Sequence, residues 1–112
     1  MENHKELREQ YKNRKMTGGV YRILNTENQR YFLAATNDLA GSNNRHNFAV
    51  STNLCIIPAM KEDWKCYGST AFVFESLEEL EKKPEQTTQK FAEDLETLKE
   101  MWQEKFAASL SY

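Results

Sequence analysis

Val20-Tyr21-Arg22-Ile23-Leu24, then Asn25-Thr26-Glu27-Asn28-Gln29, then Arg30-Tyr31-Phe32-Leu33-Ala34-Ala35: residues 20–35 decide how this chain folds. The outer runs are rich in β-branched and aromatic residues, and the middle run is made of turn formers, so the stretch predicts a β-hairpin. Side chains alternate along a strand. Val20, Arg22 and Leu24 therefore share one face, Tyr21 and Ile23 the other, and Tyr31 points away from Phe32. Just ahead, Thr17-Gly18-Gly19 breaks whatever precedes the hairpin.

Upstream, residues 3–15 read as a polar helix with only Leu7 and Tyr11 as apolar anchors, giving an appended segment over 1–16 and a folded domain over 17–112. Downstream, Asn37-Asp38 can cap a short helix running to about Phe48. Its Gly41, Ser42, Asn43 and Asn44 are poor helix formers, so it is expected to be weak or irregular. Pro58 opens a second helix over 58–67, with Met60, Trp64 and Tyr67 on one face and Gly68 at its stop. Residues 71–75, Ala-Phe-Val-Phe-Glu, read as a third strand. The acidic run Leu77–Lys83 reads as helical until Pro84. From Thr87 or Thr88, the residues Phe91, Leu95, Leu98, Trp102 and Phe106 recur at steps of three and four, which is a long amphipathic helix. The order α-β-β-α-α-β-α-α is that of an α+β domain, a small antiparallel sheet flanked by helices.

The composition narrows the function class. The 112 residues are one domain's worth, and 6 Phe, 5 Tyr and 2 Trp suit a compact aromatic core rather than disorder. No apolar run is long enough to span a membrane, and the first twenty residues are not signal-like. Cys55 and Cys66 are too few for a disulfide scaffold. With His4 and His46 they fit no common zinc spacing, so both are expected as reduced, part-buried thiols in a cytoplasmic protein. Charge is uneven. Residues 1–56 hold eight basic and five acidic side chains, residues 57–112 seven and twelve. With a net charge of -2 the chain is no polybasic nucleic-acid binder, although its first half suits weak, salt-sensitive phosphate contacts.

Few residues are candidates for chemistry. Tyr21 faces its neighbours across the hairpin, and a tyrosine becomes a general base only where a cation or metal lowers its pKa. Arg45 can clamp a phosphate and His46 can shuttle a proton. The plainer reading is a hairpin ring packed in the core and a solvated Arg-His pair on a helix.

At these residues the chain resembles the GIY-YIG nuclease family. Gly19-Val20-Tyr21 is followed at the family's distance by Phe32-Leu33-Ala34 and Asn37-Asp38-Leu39. Asp63 to Glu75 is similar to the family's segment in which an aromatic helix ends in Tyr-Gly and feeds a Phe-x-Phe-Glu strand. The closing helix with Trp102 and Phe106 completes a resemblance over about residues 18–106. It implies a three-stranded antiparallel sheet with flanking helices, and metal-dependent hydrolysis of DNA phosphodiesters. In the family a first tyrosine activates water and a second supports the site. An arginine stabilises phosphate charge, a histidine lies nearby, and a glutamate holds the metal. Carried over, these roles fall on Tyr21, Phe32, Ser42, His46 and Lys99. The second tyrosine has lost its hydroxyl, the arginine is a serine, and a cation stands at the ligand position. Arg45 lies one helical turn from Ser42, and Glu100, beside Lys99, restores a ligand only after a one-residue shift.

The expectation is therefore a catalytically degenerate GIY-YIG-like domain that needs no cofactor. It would bind DNA weakly through Arg22, Arg30, Arg45 and the amino-terminal basic residues, or bind a protein partner. The alternative is an active endonuclease with Mg²⁺ or Mn²⁺ in a rearranged site of Tyr21, Arg45, His46 and Glu100.

Overall fold

In the computed structural model the described residues are 16–112, and the helix expected over 3–15 lies outside them. Three antiparallel strands, β1 (Thr17–Asn25), β2 (Tyr31–Thr36) and β3 (Phe72–Glu81), form one sheet in the order β2-β1-β3. The hairpin forms where the turn formers stand. Asn25 accepts from the Glu27 N–H and Asn28 from the Arg30 N–H through their side-chain oxygens, and Gln29 takes a positive φ of 66°. Ile23 pairs with Phe32 on one side and Phe74 on the other, while Tyr21 pairs with Ala34 and Ser76. The register with β3 slips between Val20 and Tyr21. Gly19 sits beside this bulge, where any Cβ would collide with the Glu78 carbonyl, so no larger residue fits there without a shift.

The two faces of the sheet carry separate cores. Ile23, Phe72, Ala49, Met60, Trp64 and Ala71 are buried on one, with Tyr21, Phe32 and Phe74 packed against them. Val20, Tyr31 and Leu33 are buried on the other, under Leu98, Trp102 and Phe106. The face assignments read from the alternation of residues 20–35 hold, including the opposite directions of Tyr31 and Phe32. Helix α1 (Leu39–Thr52) and helix α2 (Lys61–Tyr67) supply the first core, and helix α3 (Thr88–Gln103) the second. Thr87 is the cap of α3, accepting from the Lys90 N–H. Phe91 is fully buried, which is worth about 1.5–3 kcal/mol by transfer from water.

Several expectations are corrected. The segment from Leu77, read as a helix, continues β3 to Glu81, pairing Glu78 with Val20, Glu79 with Gly19 and Glu81 with Thr17. Its Leu-Glu composition favours a helix, but the β1 edge offers a ladder. Leu77 also finds the second core, and the Trp102 indole donates to Glu78 Oε1 at 2.9 Å. Helix α1 is neither weak nor short. Asp38 caps it by accepting from the Gly41 N–H, and Asn53 closes it in the left-handed region with N–H bonds to Ala49 and Val50. Burial of Leu39, Ser42, His46 and Ala49 between those caps outweighs the poor propensity of the sequence. The helix expected over 58–67 is a 3₁₀ turn, Pro58–Met60, followed by α2. Met60 and Trp64 are buried but Tyr67 is exposed, since it falls past the core at the last residue of α2. The third strand begins at Phe72 because Ser69–Ala71 form a further 3₁₀ turn. Both cysteines are free, Cys55 partly buried and Cys66 exposed rather than part-buried. Among the described residues no helix is long and apolar enough to cross a membrane.

Candidate functional site

Tyr21, at the middle of the central strand, lies under α1 with its ring stacked on Phe74, centroids 4.6 Å apart. A chain of hydroxyls approaches it from α1 and the end of β2. Arg45 Nη2 donates to Ser42 Oγ at 3.0 Å, Ser42 donates to Thr36 Oγ1 at 2.9 Å, and Thr36 donates to the Asp38 carbonyl at 3.2 Å. The Asp38 N–H in turn donates to Thr36 Oγ1 at 3.1 Å. The same Asp38 that caps α1 therefore anchors the chain, and Ser42 holds Arg45. Residues 42 and 45 are three apart on a helix, which brings their side chains together.

Burial pushes the Tyr21 phenol above its ordinary pKa, while the Arg45 charge and the Ser42 hydroxyl beside it pull the other way without winning. With its pKa raised, Tyr21 is a phenol able to hydrogen-bond a ligand. Phe32 packs into the same core as Tyr21 and offers it no hydroxyl.

His46 is buried against the sheet, its Nε2 lying 3.2 Å from the Phe72 carbonyl. Holding that carbonyl requires the proton on Nε2. Burial lowers its pKa, and the bond to Phe72 opposes this only in part. The solvated Arg-His pair of the plainer reading is therefore corrected: Arg45 is exposed, but His46 is a core histidine, because its position on α1 turns its ring toward the Phe72 carbonyl of the sheet.

Lys99 and Glu100 belong to α3, whose Leu98 and Trp102 pack on the face of the sheet opposite Tyr21. Ser42 and Arg45 bring a hydroxyl and a guanidinium to Tyr21, and among the described residues no group of three or more His, Cys, Asp or Glu is placed to hold a metal. Mg²⁺ and Mn²⁺ are held by hard oxygen ligands, carboxylates above all, and neither Ser42 nor Arg45 supplies a carboxylate. The expected basic surface also divides. Arg22 pairs with Glu75 at 3.3 Å and lies over the Phe106 ring, on the α3 face. Arg30 lies over the Tyr112 ring and 3.8 Å from Asp63. Of these arginines, Arg45 stands alone beside Tyr21.

The sequence reading missed Thr36 and the stacking role of Phe74. Thr36-Asn37-Asp38 ahead of a helix carries the signal for the first, since Ser, Thr and Asp there bond locally to backbone and to one another. Nothing local signals the second, because Phe74 and Tyr21 meet only through strand register.

No protein-family model matches the chain, and no curated protein matches it. Two solved structures do. One is the catalytic domain of the homing endonuclease I-TevI, with a TM-score of 0.59 and 17% identity over 85% of this chain and 95% of that one. The other is a point mutant of the same intron endonuclease domain, with a TM-score of 0.61 and 18% identity over 87% and 92%. The likeness establishes the fold, a GIY-YIG endonuclease-like α+β domain with a three-stranded antiparallel sheet.

Proposed function

We propose that this GIY-YIG-fold chain is a DNA-binding module whose catalytic machinery has degenerated. The observation that carries the reading is the Tyr21-Ser42-Arg45 cluster, one cation held by a hydroxyl beside a phenol. Such a group can accept a phosphate oxygen by charge-assisted hydrogen bonding. The raised pKa of Tyr21, and a serine and an arginine rather than carboxylates beside it, support the loss of activity, since a site that has lost parts acting as a unit loses most of its rate. Phosphate binding through so few contacts is weak and salt-sensitive, in keeping with a net charge of -2.

Fluorescence anisotropy with labelled duplex and single-stranded DNA across a salt series tests the reading. Binding at low salt that weakens in an Arg45→Ala variant supports it, and no binding at any salt removes it. One observation favours a second reading, an active endonuclease. Arg45 returns a guanidinium to the side of Tyr21 where the family's arginine is missing. Nicking of supercoiled plasmid with Mg²⁺ or Mn²⁺ that disappears in Tyr21→Phe would establish that activity and overturn the degenerate site.

A further inference from the structure

On the flank of α1 away from Arg45, a trough follows the outer edge of the sheet. Two adjoining cavities of about 380 and 410 Å³ compose it, and Asn43 and Phe74 line both. Its helix wall is Ala40, Asn43, Asn47 and Ser51, a stripe at steps of three and four. Its sheet wall is β3 from Phe72 to Glu79. β3 is an outer strand, and among the described residues no strand pairs with its far side.

Three features select what belongs there. An open strand edge is a row of backbone donors and acceptors, and another extended chain satisfies it. Asn43 and Asn47 are exposed, and neither makes a side-chain hydrogen bond among the described residues. A carboxamide both donates and accepts, as a peptide group does, so these two suit a polypeptide backbone lying between helix and strand. Charge decides between polymers. The lining includes Asp38 and Glu79 and no Lys or Arg, which repels a phosphate chain and attracts a basic one. Length sets the size. Ala40 to Ser51 rises about 16 Å at about 1.5 Å per residue, which about five extended residues span at about 3.3 Å each.

We propose that this trough receives an extended, basic segment of a partner polypeptide, about five residues long, as a fourth strand hydrogen-bonded to the outer edge of β3. Alternate side chains of that segment face Phe74 and Ser76 beneath α1, and the others face the side of the sheet that carries Val73 and Glu75. Arg45 lies on the other flank of the helix, whereas Tyr21 stacks on Phe74 and so borders the trough from within the sheet.

The test is a nitrogen–proton NMR titration of the full chain with an acetylated, amidated hexapeptide of alternating Val and Lys. Two control peptides are used, one N-methylated at alternate residues and one with Glu in place of Lys. The expected result is saturable shifts at the amides of residues 72–79 and the carboxamides of Asn43 and Asn47. Both controls, and an Asn47→Arg variant that keeps the parent spectrum elsewhere, bind at least tenfold more weakly. Equal binding of the N-methylated peptide would mean charge attraction without a shared ladder and would overturn the proposal. So would shifts centred elsewhere, the absence of saturable shifts, or the same resonances moving with duplex DNA instead. Shifts at β3 that grow with protein concentration alone would assign the edge to a second copy, also against the proposal.

Discussion

The guanidinium of Arg45 and the hydroxyl of Ser42 lie 3.0 Å apart on neighbouring turns of α1, so the serine positions the cation that stands beside Tyr21. Ser42→Ala removes a buried acceptor from Arg45 and a donor from Thr36. It is expected to destabilise the fold by about 1 kcal/mol, read as a shift in the urea midpoint.

Arg45→Ala affects binding rather than folding. Arg45 is exposed, so its loss is expected to change stability by less than about 0.5 kcal/mol. In anisotropy titrations against duplex DNA, the slope of log affinity on log salt should fall by about one, the signature of one lost phosphate contact. An unchanged slope would remove Arg45 from the interface.

His46 makes stability depend on pH in a defined direction. Its folded pKa lies below its ordinary 6.5, so the unfolded chain binds the proton more readily. Stability is complete above about pH 6.5 and declines as pH falls below it. Thermal melts between pH 7.5 and 5 should show a falling Tm, and His46→Gln, which keeps a donor for the Phe72 carbonyl, should flatten that decline.

Tyr112 closes the other end of the fold. Its phenol donates to Asp63 Oδ2 at 2.6 Å and accepts from the buried Asn25 carboxamide at 3.0 Å, while its N–H donates to the Tyr31 carbonyl at 2.8 Å. Burial and the bond to Asp63 push its pKa up to about 12. Tyr112→Phe is expected to cost about 1–3 kcal/mol by denaturant unfolding, and to remove an ionisation near pH 12 from an ultraviolet titration.

The same contact acts at acid pH. Hydrogen bonds from Tyr112 and Asn28, in that order, hold the Asp63 carboxyl below its ordinary 3.8. Its contribution is present above that value and is lost as pH falls through the lowered one. Asp63→Asn should leave a protein whose stability varies less between pH 5 and pH 2, and an unchanged acid limb would contradict the assignment.

Where local pattern and tertiary demand agreed, the chain was legible. The alternation of residues 20–35 determines which side chains share a face, because a strand's period of two admits no other arrangement once it is paired. The spacing of Phe91, Leu95, Leu98 and Trp102 determines α3, because a stripe at steps of three and four can be buried only as a helix.

Other features were decided only by residues far apart in the chain. Leu77 to Glu81 has helical composition yet forms strand, since the edge of β1 and the Trp102 indole supply partners that no window of sequence contains. Helix α1 runs three turns and more on poor helix formers because both its caps and its buried stripe act together. Arg22, Arg30 and Arg45 look alike in sequence, but Glu75 and Phe106 take the first, and Asp63 and Tyr112 the second. Charge counts along a chain take no account of such partners, and it is these partners, brought together by register and packing, that leave Arg45 as the cation beside Tyr21.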